Sequence, residues 1–123
     1  MNRHAAFSFL VAVVASALIW ALSPLLAGHA EPWDADGPYY IGALLVAGLI
    51  AGVVAPKSPW AHYLGSVVGQ LGYELLFLDI GPLILLGGVF LLGFSLIFFV
   101  AAVAAAYTRN KVWPGKTKPE ARR

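Results

Sequence analysis

Five residues of this chain carry side chains that could do chemistry together: His62, Ser66, Gln70, Tyr73 and Glu74. All five fall in one apolar stretch, Pro59 to Pro82. Successive residues of an α-helix turn by about 100°, so His62, Ser66, Gln70 and Glu74, spaced four apart, line one side, with Tyr73 beside them. An acidic group near a bilayer centre is costly, by about 2.5–3.5 kcal/mol on insertion scales, and such groups face a bundle interior, a partner or a proton. Glu74 therefore has two readings. It is a proton or cation site with Gln70, Ser66 and His62 along the same face, or it is a neutral carboxyl that hydrogen-bonds Gln70 or a neighbouring helix and holds it in place. Asp79 follows five residues later and opens a turn, which sets Glu74 towards the membrane boundary.

The same helical wheel gives the stretch two further faces. Ala61, Gly65, Gly69 and Gly72 form a smooth strip, and Val67, Leu78, Leu71, Leu64, Leu75 and Val68 form an apolar one. An apolar face can meet lipid, whereas small residues let a neighbouring backbone come close. The preceding segment carries its own small pair, Gly48 and Gly52, beside a seam of Ala43, Ala47 and Ala51. The simplest packing sets Gly48 and Gly52 against Gly65 and Gly69, making the second and third helices the closest pair.

Composition bounds the class. Of 123 residues, 60% are hydrophobic and only 11% charged, against about 45–50% and about 25% in ordinary soluble domains. The mean hydropathy is +0.80. The chain has no cysteine, which removes disulfides, thiolate metal sites and cysteine nucleophiles. Glycine-rich phosphate loops, His-Glu-x-x-His and nucleophile elbows are absent, and Ser23 and Ser95 have no base nearby in sequence. His4, His29 and His62 are widely separated, so neither a metal site nor another cofactor site is expected. Asp34 and Asp36 fall short of the 6–8 oxygens that calcium takes. No enzymatic constellation is present.

Four segments are long and apolar enough to read as membrane helices: residues 5–27, 39–55, 59–79 and 82–107. They make one domain over residues 1–108, followed by a basic, disordered tail over 109–123. Cleavage after Gly28-His29-Ala30 is the rival reading of the first segment, but that segment exceeds the roughly 7–15 residues of a signal core. Ser8, Ala12 and Ser16 recur every four residues as a packing seam. Trp33, Tyr39 and Tyr40 suit a membrane–water boundary. Ser58 is a candidate N-cap for the helix opened by Pro59. The fold class is all-α: a polytopic membrane protein with an antiparallel four-transmembrane-helix bundle, in which the short turns at 56–59 and 79–82 make consecutive helices neighbours.

Charge sets the expected orientation. Four crossings put the N-terminus, the turn at Lys57 and the tail on one side, and these hold Arg3, Lys57, Arg109, Lys111, Lys116, Lys118, Arg122 and Arg123, every Lys and Arg of the chain. The other side holds Glu31, Asp34, Asp36 and Asp79. Loops rich in Lys and Arg stay cytoplasmic. Both termini are therefore expected inside. The basic tail lacks any stacking motif or nucleic-acid-binding fold, so nucleic acid is not an expected partner.

The pattern Glu31-Pro32-Trp33-Asp34, Pro56-x-x-Pro59-Trp60 and Gly69-Gln70 resembles small four-helix proteins of the bacterial inner membrane, a group that implies that location but no activity. Size and helix count are also similar to the small multidrug resistance transporters. Those carry a glutamate in the first helix, where this chain has none. Two functions follow as expectations. The first is a non-enzymatic helix-packing or accessory subunit, with the lipid bilayer and a membrane-protein or homo-oligomeric partner around it. The alternative is a proton-coupled transporter or ion-conducting oligomer that uses Glu74.

Overall fold

In a computed structural model, residues 2–28, 32, 38–78, 81 and 84–112 are described. Among them the chain is all-helical, with four α-helices and no strand: α1 (Arg3–Leu26), α2 (Tyr39–Val54), α3 (Pro59–Phe77) and α4 (Ile84–Val112). Two of these, α1 with 24 residues and α4 with 29, are long and apolar enough to cross a membrane. The acidic loop residues Glu31, Asp34 and Asp36, with Trp33, lie outside the described residues, as do Asp79 and residues 113–123.

The helix ends follow local chemistry. Asn2 caps α1 by accepting the Ala5 N–H at 2.8 Å, satisfying one donor that the first turn leaves open. Pro59 opens α3, where its missing N–H costs nothing. Ser58 occupies the cap position but makes no side-chain capping bond. It sits instead in the left-handed region at φ 58°, a conformation that penalises a residue with a Cβ. Ser58 thus stands at the expected N-cap position, but without the side-chain bond that capping would add. A correction concerns the tail: Arg109, Asn110, Lys111 and Val112 belong to α4. Basic groups in a last helical turn complement the helix dipole, and Thr108 donates to the Ala104 carbonyl at 2.9 Å within this end.

The helices pack as two parallel pairs. α1 packs most extensively on α3 and α2 on α4; α3 meets α4 and α1 meets α2 less extensively. Gly65 and Gly69 advance along α3 as their contacts advance from Phe9 to Val13 on α1, so these two helices run the same way. Gly48 and Gly52 likewise track from Phe98 to Ala105 on α4. The pairs lie against each other in opposite directions: His62 of α3 meets Phe98 while Gln70 reaches back to Ser95, and Ser8 of α1 reaches the Ala55 carbonyl at the end of α2 while Ile19 accepts from Tyr39 at its start. Trp20, Tyr40, Leu44, Leu91 and Phe98 fill the core between the pairs.

This arrangement overturns the expected closest contact. α2 and α3 barely touch and stand diagonally across the bundle. A Cβ placed on Gly65 would lie 2.5 Å from the Phe9 carbonyl oxygen and 2.6 Å from the Ala12 Cβ, and one on Gly48 would lie 2.5 Å from the Phe98 carbonyl oxygen and 2.8 Å from the Ala101 Cβ. Gly48 and Gly52 meet the Ala101 and Ala105 seam of α4, and Gly65 and Gly69 meet Phe9, Ala12 and Val13 of α1, while Gly72, expected in the same strip, meets nothing within 4 Å. The short turn at 55–58 joins α2 and α3 but does not make them neighbours, because a turn constrains only the two ends it joins.

Candidate functional site

The polar stripe of α3 faces inward. His62, Ser66 and Gln70 are fully buried and Glu74 is 5% exposed. The structure divides these residues into two groups and adds partners from every other helix.

Gln70 is the centre of the first group. Its Oε1 accepts a hydrogen bond from the Trp20 indole Nε1 at 2.9 Å and another from the Tyr40 hydroxyl. Its Nε2 donates to the Ser66 and Ser95 hydroxyls, both at 3.1 Å. Ser66 in turn donates to Ser95 at 3.3 Å. A primary amide offers two acceptor sites and two donor hydrogens, and here all four are used. One side chain of α3 thereby ties together α1 through Trp20, α2 through Tyr40 and α4 through Ser95. Buried polar groups that are fully bonded specify one packing arrangement, whereas partly bonded ones are destabilising.

Glu74 lies one turn beyond Gln70, in the last turn of α3. It stands close enough to Tyr40, in the first turn of α2, for the two to interact electrostatically. Tyr73, expected beside Glu74, is half-buried and stacks at an angle on Trp20 at 6.5 Å and Phe77 at 4.9 Å. Its role here is aromatic packing against the indole that bonds Gln70.

His62 belongs to the other group, at the opposite end of α3. Its Nε2 donates to the Ala55 carbonyl at 2.7 Å; a carbonyl can only accept, which fixes the proton on that nitrogen. Ser8 of α1 donates to the Lys57 carbonyl. Together these bonds hold the turn around Ser58 from two helices. The His62 ring also meets Phe98 at 6.4 Å, and its Nδ1 has no hydrogen-bond partner among the described residues. His62 therefore does not join the Gln70 cluster, although both share one face of one helix.

Three members of the cluster are not found by reading the sequence alone. Trp20 continues the Ser8, Ala12 and Ser16 seam four residues further on, a spacing that places it on the buried face, but nothing in the sequence pairs its indole with Gln70. Tyr40 reads as a boundary residue, but it is 5% exposed and bonded in the core; that expectation is corrected. Ser95 has no base nearby in sequence, yet a hydroxyl in the middle of the most apolar helix was itself a sign that something polar faces it. Tyr39, by contrast, donates to the Ile19 carbonyl at 2.6 Å and is only partly buried. Gly48, Gly52, Gly65 and Gly69 lie at the two tight seams rather than at the polar cluster. Asp34 and Asp36 lie outside the described residues. No protein-family model, no curated protein and no solved structure matches the chain.

Proposed function

We propose that this chain is a small non-enzymatic membrane protein that crosses the bilayer four times as an antiparallel bundle and acts through helix packing, as a scaffold or accessory subunit. The single observation that carries the reading is the Gln70 amide, whose four hydrogen-bonding positions are all committed to side chains of the four helices. A group that must bind and release a solute keeps bonding capacity for it; this one spends its capacity on the protein.

The distribution of surface residues supports four crossings. α3 exposes Trp60, Leu64, Val68, Leu75 and Phe77, and α2 exposes Ile41, Leu45, Leu49 and Val53. Both helices thus turn apolar faces outward and, on α3, polar ones inward, the pattern lipid favours. α2 has 16 residues, or about 24 Å of helix, short of a hydrocarbon core of about 30 Å, so the bilayer thins or flanking aromatics extend it. Placement in the bacterial inner membrane with both termini cytoplasmic rests on the charge bias of the loops.

Proton-coupled transport through an oligomer is the second reading, favoured by the burial of Glu74 beside Tyr40. Flux measured in proteoliposomes under a pH gradient separates the two. The scaffold reading expects the parent protein and Glu74→Gln to be equally silent. Proton flux in the parent that disappears in Glu74→Gln would replace it with the transport reading.

A further inference from the structure

A shallow, open apolar groove of about 310 Å³ on the outer surface of the α2–α4 pair is lined by Leu45, Leu96, Ile97 and Val100. It contains no polar lining group. On α4 the exposed stripe that leaves this groove runs through Val100 and Tyr107 to Lys111, residues that share one helical face. The Lys111 ammonium lies over the Tyr107 ring, 5.6 Å from its centre. An aromatic ring and a cation in this order are what the membrane–water interface selects.

The spacing names the occupant. Val100 and Lys111 are eleven positions apart, which at the helical rise is roughly 16 Å. Half of a hydrocarbon core is about 15 Å. A lipid whose headgroup meets Lys111 therefore lays the ends of its acyl chain in the groove. We propose that this face binds an anionic phospholipid, with Lys111 holding the phosphate and its charge and Leu45, Leu96, Ile97 and Val100 holding the chain. The proposal rests on the membrane reading above and goes beyond it, since a scaffold needs no preferred lipid. Charge decides the class: the stripe ends on a cation, Lys111, and a zwitterionic headgroup offers no net charge to match it.

The test uses the full chain in nanodiscs made of equal parts phosphatidylglycerol and phosphatidylcholine, released and weighed by native mass spectrometry. Phosphatidylglycerol should be retained in excess, and Lys111→Gln should reduce that excess about fivefold, the factor expected for one cation near an anionic surface. Val100→Trp, at an exposed position that the bundle tolerates, should fill the groove and lower retention of both lipids. An excess unchanged by Lys111→Gln, or equal retention of the two lipids by the parent chain, overturns the proposal. Failure of the parent chain to enter nanodiscs overturns the membrane reading itself, and that outcome appears at reconstitution, before any lipid is weighed.

Discussion

The two ends of α3 use the same kinds of residue in different ways. At its start, His62 and Ser8 bond to backbone carbonyls of the 55–58 turn. Towards its end, Gln70 bonds to side chains only, one or more on each of the other helices. The first arrangement secures a connection the chain makes anyway, and it acts on one turn. The second selects which helices stand together, because Trp20, Tyr40 and Ser95 can meet one amide only if α1, α2 and α4 surround α3 in one rotational setting. A polar residue on the buried face of a helix can thus serve a loop or serve the bundle, and the partner type, carbonyl or side chain, tells which.

The comparison can be broken most directly at Gln70. Replacing Gln70 with Leu removes four hydrogen bonds at once and leaves the Trp20 indole N–H buried. At about 0.6 kcal/mol for an average hydrogen bond between membrane helices, the loss should be roughly 2–3 kcal/mol, read by reversible unfolding in mixed detergent and lipid. A Gln70→Leu protein as stable as the parent would remove the distinction between the two ends.

His62→Ala should follow at about 1 kcal/mol, the usual worth of one buried hydrogen bond, with its effect confined to the turn. Amide exchange resolved by residue should show Lys57 and Ser58 opening faster while the centres of the four helices exchange as before. Spread of the faster exchange to α2 and α4 would show that His62 serves the bundle after all.

Combining the two changes sharpens the point further. Sites without shared partners add within about 0.3–0.5 kcal/mol, so the double variant Gln70→Leu with His62→Ala should lose the sum of the single losses. A coupling well beyond that range would mean that the two groups form one network.

The smallest effect is expected at Tyr73→Phe. Tyr73 contributes ring contacts to Trp20 and Phe77, and phenylalanine keeps the ring. Stability should change by less than about 0.5 kcal/mol, within the ordinary range for a change away from special features. A loss as large as that at Gln70 would place the Tyr73 hydroxyl in the cluster.

What could be read along α3 was its orientation about its own axis. The spacing of His62, Ser66, Gln70 and Glu74 assigns them one face, and the structure buries all four, along with Ala61, Gly65 and Gly69. Helical periodicity is a local property, set by the backbone, so a list of residues suffices to state it. The seam of Ser8, Ala12 and Ser16 was legible for the same reason and is also buried. The extent of α4 was less so: helical residues continue to Val112, past the basic residues that composition alone assigns to a tail.

The chain by itself determined that it is apolar, helical, lacking thiol chemistry and asymmetric in charge, and which side of its third helix is polar. These follow from composition and a fixed turn per residue. Only the tertiary structure decided that the glycines of α2 meet α4 and those of α3 meet α1, and that Trp20, Tyr40 and Ser95 converge on Gln70. A small-residue strip states that some backbone comes close without stating which, because every alanine-bearing helix can fill it. The choice is made by the simultaneous fit of two seams and one amide, and that fit exists only in three dimensions.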